Sequence, residues 1–150
     1  MLIATQALAD VRQLSRLMRP RILDDLGLAA ALQWLVRTLC ESSSIQTKVE
    51  IDLDAEPDSA SAILLFRIAQ EALTNAVRHA NASLISVYVS RAGNTLRLDV
   101  IDDGSGFDSS KVVQGVGLSS MRDRAAAFSA DFEINSRPGG GCHVSVLVPL

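Results

Sequence analysis

The chain has 150 residues, 48% of them hydrophobic and 21% charged, which suits one buried core and argues against wholesale disorder. Its net charge is −3, and Asp10, Asp24 and Asp25 dilute the basic residues Arg12, Arg16, Arg19 and Arg21, so no nucleic-acid partner is expected. No apolar run approaches the roughly 20 residues that cross a bilayer, so no membrane contact is expected of this chain.

Near residues 4 to 18, Leu8, Val11, Leu14, Leu17 and Met18 recur at helical spacing until Pro20. In that stretch Asp10 and Arg12 stand where a secretory leader would need its apolar run. A second helix is predicted from Asp25 to about Cys40, with Leu28, Ala31, Leu32, Leu35, Val36 and Leu39 on its apolar face and Ser42-Ser43-Ser44 breaking it. Thr47 to Leu53 alternates as a half-buried strand. Pro57 and Asp58 or Ser59 open a long helix to about Ala80. Two alternating runs, Leu84 to Ser90 and Leu96 to Ile101, meet at the turn Ala92-Gly93-Asn94. A Gly-, Ser- and Asp-rich loop covers about 103 to 116, followed by a helix from Gly117 to about Phe128. Strands near Asp131 to Asn135 and Cys142 to Val148 flank Pro138-Gly139-Gly140-Gly141. The pattern lacks the strict alternation of a doubly wound fold. It predicts an α+β, two-layer α/β sandwich, with a mixed, mostly antiparallel sheet and helices on one face.

Three stretches carry the chemistry. On the long helix, Arg67, Glu71, Asn75 and Arg78 fall in one stripe opposite the apolar face. Neighbours at i,i+4 sit about 6 Å apart, so the Glu71 carboxylate and Asn75 amide could share one hydrated cation of the magnesium type. The plainer reading of that stripe is a solvated helix face. His79 reads either as a base or, more simply, as a helix-end residue favoured by the dipole.

In Asp102-Asp-Gly104-Ser-Gly106-Phe107, a strand ends in a carboxylate among glycines, a setting in which Asp102 could accept a hydrogen bond from an exocyclic amine. An ordinary Asp/Gly turn is the alternative. Gly115-Val-Gly117-Leu118 is a glycine turn at a helix start, where free N–H groups and the dipole favour phosphate. It is not the dinucleotide fingerprint G-x-G-x-x-G after a strand. Taken in order, the three stretches supply parts for a purine, a metal ion and a polyphosphate. Cys40 and Cys142 lack metal or redox spacing and read as idle thiols in a reducing compartment.

This ordered set resembles the ATP-binding catalytic domain of sensor histidine kinases, in particular the nitrate-sensor-like group partnered by NarL-type regulators, within the superfamily shared with gyrase, Hsp90 and MutL. Arg67-Ile-Ala-Gln-Glu-Ala-Leu-Thr-Asn75-Ala-Val-Arg-His-Ala80 is similar to its N box, Asp102 to Phe107 to its G1 box, and Gly115 to Arg122 to its G2 box. Ser136-Arg-Pro-Gly-Gly-Gly141 resembles the last glycine box, and Leu17 to Leu32 the segment joining dimerisation helices to the ATPase domain.

The resemblance implies residues 1–26 as the end of a dimerisation helix with its linker and 27–150 as the catalytic domain. It implies ATP and Mg²⁺ as ligands, Asn75 as metal ligand, Glu71 as base or water-mediated ligand, and Asp102 as reader of the adenine amine. It implies Arg78 and His79 at the phosphate end of the pocket, and Gly104, Gly106, Gly115, Gly117 and Leu118 shaping the pocket and lid. A cytoplasmic location follows, whether or not the parent protein is membrane-anchored, with a homodimeric parent whose phosphoacceptor helix and response regulator are the partners.

Two departures stand out. Cys142 occupies the place of a common Thr, and neither His79 nor His143 has the setting of the family's phosphoacceptor. Two rival readings are an anti-sigma-factor-like serine kinase, against which the Leu17 to Leu32 segment argues, and a nucleotide-binding domain without catalysis, against which Glu71 and Asn75 argue.

Overall fold

A computed structural model describes residues 21–41, 43–108 and 116–150. The predicted helix at residues 4 to 18, Gly115 and residues 109–114 of the loop before it lie outside the described residues. In chain order the elements are α1 (Arg21–Cys40), β1 (Gln46–Asp52), α2 (Ser59–His79), β2 (Leu84–Ala92), β3 (Thr95–Asp102), α3 (Val116–Ala127), β4 (Asp131–Ser136) and β5 (Cys142–Pro149).

The strands form one sheet in the order β1-β2-β3-β5-β4. β1 runs parallel to β2, and the other three pairings are antiparallel. The registers place Val49, Val87, Val100, Val144 and Ile134 in one cross-strand row, and Ile51, Val89, Leu98, Val146 and Phe132 in the next. Period-2 alternation thereby gives the sheet one apolar face. The buried faces of α1 and α2 and, from α3, Met121 and Ala125 join those rows in a single core. The α+β sandwich expected from the sequence is the fold observed.

The helix ends follow their capping chemistry. The Asp58 carboxylate accepts the Ser61 N–H at 3.1 Å and caps α2. β2 and β3 are joined by Gly93-Asn94, with Gly93 at φ 59, as a primed hairpin turn requires at its first central position.

α1 departs from the sequence reading. Residues 21–24, before the expected start near Asp25, are already helical, and the helix breaks at Gly27, where φ 87 and ψ 177 are not helical. Glu56, from the loop before α2, accepts the Leu28 N–H at 2.8 Å and so caps the segment after the break. Leu23, before the break, is buried in the same core as Leu28.

Candidate functional site

The site begins at the C-terminal end of α2. The helix closes with Ala80, whose N–H still reaches Ala76, and Asn81 then takes a left-handed φ of 52 that turns the chain toward β2. Asp103, the residue after β3, grips this turn: its carboxylate accepts the Ser83 N–H at 2.8 Å, the Leu84 N–H at 2.9 Å and the Ser83 hydroxyl. Those hydrogen bonds hold its carboxyl below the usual range.

The next residues pass between α2 and the β4–β5 hairpin. The Ser105 N–H donates to the Ala80 carbonyl at 2.6 Å, and the carbonyls of Ser105 and Gly104 accept from Gly139 N–H at 2.6 Å and Gly141 N–H at 3.1 Å. A Cβ on Gly104 would lie 2.2 Å from the Ala80 oxygen, and one on Gly141, at φ 71, 2.2 Å from the Asp102 oxygen. Gly104 is thus required for close packing of backbone on backbone, not for an unusual φ. The glycine run Gly139-Gly140-Gly141 is the other wall of this loop.

Asp102 ends β3 on the core-facing side, paired with Cys142 across the sheet, and it is buried. Its Oδ1 accepts the Gly104 N–H at 2.9 Å. Burial pushes its carboxyl up from the ordinary 3.8, opposed by backbone N–H donors at Gly104 and Cys142, with Asp103 adding a smaller push upward. A carboxylate offers about four acceptor positions, so these two donors leave room for an exocyclic amine. The Cys142 thiol is pushed up to about 11, first by burial and then by Asp102.

Glu71 and Asn75 are half-buried on α2, whereas Arg78 and His79 are exposed in its last turn. Asn75 lies five residues before Ala80, about 7–8 Å of helix rise from the loop that follows Asp102. Gly117 and Leu118 fall in the first turn of α3. Arg67 corrects the sequence reading of its stripe as wholly polar and outward. It is only 7% exposed, and its Nη1 donates to Gln70 Oε1 at 3.1 Å. Burial and then the charge of Arg124 on α3 hold its pKa down, so the start of the stripe sits against a neighbouring helix.

Among the described residues no three His, Cys, Asp or Glu side chains form a metal cluster. The fit for a cation is of another kind: an amide oxygen and a carboxylate one turn apart suit Mg²⁺, which keeps waters and phosphate oxygens as most of its ligands. Asn75 and Glu71 are compatible with that.

On the helix-free side, Asp99 is 8% exposed and takes Arg97 Nε at 2.7 Å and His143 Nε2 at 2.8 Å. An open groove of about 400 Å³, bordered by Ile101, Asn135, Arg137 and His143, meets this side of the sheet. By register Ile101, Asn135 and His143 point away from the core. The groove therefore differs from the space between α2 and the sheet, although Asp102 and Cys142 border it too.

Comparison with known proteins decides the family. Residues 60–150 match the model for histidine kinase-, DNA gyrase B- and HSP90-like ATPases. The chain belongs to that family. It is 40% identical over 143 residues to the sensor histidine kinase MctS of Rhizobium johnstonii, covering 89% of this chain and 30% of MctS. It is 39% identical over 141 residues to the signal transduction histidine-protein kinase/phosphatase UhpB of Salmonella typhimurium, covering 93% of this chain and 28% of UhpB. It is 34% identical over 148 residues to the sensor histidine kinase LiaS of Bacillus subtilis, covering 98% and 41%. The chain thus spans well under half the length of these relatives.

The fold matches the histidine kinase domain of the Erythrobacter litoralis blue-light-activated histidine kinase, with TM-score 0.72 and 23% identity over 82% of this chain and 61% of that one. As an ATPase domain of this family the chain binds ATP.

Sequence reasoning did not assign roles to Ala80, Asp103 or Ser136. Asp103 carried a local signal, an Asp before Gly-x-Gly, whereas Ala80 bonds to Ser105 and Ser136 to Phe107, both distant in sequence.

Proposed function

We propose that this chain is the catalytic domain of a two-component sensor histidine kinase, that it holds Mg-ATP, and that it phosphorylates a histidine on a dimerisation helix of its parent. The observation that carries the reading is the buried, amine-competent Asp102 joined through Ala80–Ser105 to the helix bearing Glu71 and Asn75. Residues 1–26 would connect that helix to the domain, the parent acting as a homodimer in the cytoplasm and a response regulator receiving the phosphoryl group.

Asp102 accepts the adenine amine and selects the base. Asn75 would hold Mg²⁺ through its amide oxygen, with Glu71 as a water-mediated ligand or as the group that takes the proton from the attacking imidazole. Arg78 and His79, in the last turn of α2, stand at the phosphate end, and Gly117 and Leu118, in the first turn of α3, would present backbone N–H groups to the phosphates. A bound Mg²⁺ supplies charge neutralisation at the β- and γ-phosphates. The bond from the γ-phosphorus to its bridging oxygen breaks as the bond to an imidazole nitrogen forms, and ADP leaves. The protein's share is positioning and electrostatics, because the transition state needs little covalent help.

The test is labelling from Mg-ATP of a supplied polypeptide that carries the parent's phosphoacceptor helix. Acid-labile phosphohistidine on that helix supports the reading. Phosphoserine on another protein would favour an anti-sigma-factor-like kinase, and nucleotide binding without labelling would favour a regulatory domain.

A further inference from the structure

Ser136 ends β4, and its hydroxyl joins two segments remote from each other in sequence. It donates to the Gly141 carbonyl at 2.7 Å, closing the base of the β4–β5 hairpin. It also accepts the Phe107 N–H at 2.9 Å, tying the hairpin to the loop after β3. Between these points the packing leaves no slack. A Cβ on Gly106, at φ 63, would lie 2.2 Å from the Arg137 carbonyl and 3.1 Å from Ser136 Oγ. Gly141 in turn lies directly against the backbone of Asp102 and bonds to Gly104.

One hydroxyl therefore connects the place where the loop leaves toward α3 with the backbone that seats Asp102. We propose that Ser136 is a positioning residue for nucleotide binding: through Phe107 and Gly141 it locks residues 104–107 against the hairpin and keeps Asp102 in place for its ligand. This rests on the nucleotide reading of the site. The role needs a hydroxyl that donates and accepts at once, which Thr supplies and Val, of the same shape, does not. Removing it would leave the Phe107 N–H and the Gly141 carbonyl without this partner.

The test compares the unaltered chain with Ser136→Thr, Ser136→Val and Ser136→Ala, using Mg-ADP titration and hydrogen exchange. In the absence of nucleotide, the Phe107 amide should exchange faster in the Val and Ala variants than in the Thr variant, while amides of β2 and the middle of α2 stay as slow as in the unaltered chain. Mg-ADP affinity should fall about tenfold in the Val and Ala variants and be restored by Thr. Equal affinity in Ser136→Val and the unaltered chain overturns the positioning role, as does a loss of the same size in Ser136→Thr. Faster exchange throughout the sheet would also overturn it, by making the effect one of general stability. An unaltered chain that does not take up Mg-ADP would overturn the reading of the site itself, whereas the exchange comparison judges the clamp without nucleotide.

Discussion

The carbonyl oxygen of Ala80 lies 2.2 Å from the point where a side chain on Gly104 would begin, and it accepts the Ser105 N–H at 2.6 Å. The end of the α2 helix and the loop after β3 are thus fitted backbone to backbone, and the proposed nucleotide site would depend on that fit. Gly104→Ala should force the two apart. Overpacking of this kind costs about 1–3 kcal/mol, because neither a carbonyl nor a helix end can move aside as a flexible side chain could. A thermal melt should show the loss, and calorimetry should show weaker Mg-ATP binding. An unchanged melting temperature would mean the loop yields freely, contrary to the contacts described.

Asp102→Asn should weaken Mg-ATP binding by about 10- to 150-fold, the equivalent of about 1.5–3 kcal/mol for a hydrogen bond to a charged group. The same side chain sets a pH dependence. Burial raises its folded-state pKa above the ordinary 3.8, so the penalty for ionising it is fully present above the raised value and disappears below 3.8. The ionised form is the better acceptor for an amine. Affinity should therefore fall on acidification at a pH above 3.8, and the Asn variant should lack that inflection. Titrations across this range that leave both proteins with the same profile would remove Asp102 from the adenine site.

Asp99 works in the opposite direction. Burial alone would raise its pKa, but the hydrogen bonds from Arg97 and His143 and the Arg97 charge bring it below 3.8. A depressed carboxyl contributes stability that is present above the unfolded value and is lost as pH falls through the folded one. Asp99→Asn should flatten the decline in stability below about pH 4 while lowering stability at neutral pH. Denaturant melts of both proteins between about pH 2 and 7 would show it, and parallel curves would dismiss the network as a source of acid sensitivity.

The alternating runs made the sheet legible: Val87, Val100 and Val144 share a row because each sits at the right parity in its own strand. Asn75 and Asp102 stood out as candidate site residues because their neighbours in sequence carry the pattern. The burial of Arg67 did not, since helical spacing places that residue on a polar stripe and only α3 reveals that the stripe is covered. The Gly27 break was hidden for a similar reason, as its cap comes from Glu56 in another loop. Ser136 and Ala80 matter through a hydroxyl and a carbonyl whose partners Phe107 and Ser105 lie far away in sequence. Tertiary contacts decided each of these, and local periodicity carries no trace of them.

Cys142 should be a sluggish nucleophile. With a pKa of about 11, about one thiol in a thousand is ionised at pH 8, and the thiolate is the reactive form. Iodoacetamide should modify the folded chain far more slowly than the chain in denaturant. Peptide mapping after timed alkylation would measure this, and rapid labelling of native Cys142 would contradict the burial beside Asp102.

Asn75 bears the heaviest part of the proposed chemistry. It is half-buried on α2, one turn beyond Glu71, and in the proposed site the two would supply one amide oxygen and one carboxylate to a cation otherwise held by phosphates and water. Alanine at this position removes the amide oxygen and leaves the helix intact, because Ala is the better helix former. Asn75→Ala should therefore melt at or above the temperature of the unaltered chain while abolishing transfer to a supplied phosphoacceptor helix. Nucleotide binding should weaken less than transfer does, since in the proposed site Asp102 would still read the base and the metal would act chiefly on the phosphates during transfer. Without the acceptor helix neither protein should acquire phosphohistidine, as His79 is exposed at a helix end and His143 is engaged with Asp99. Full transfer by the Asn75→Ala chain would place the metal elsewhere, and labelling of His79 or His143 would show that the chain carries its own acceptor.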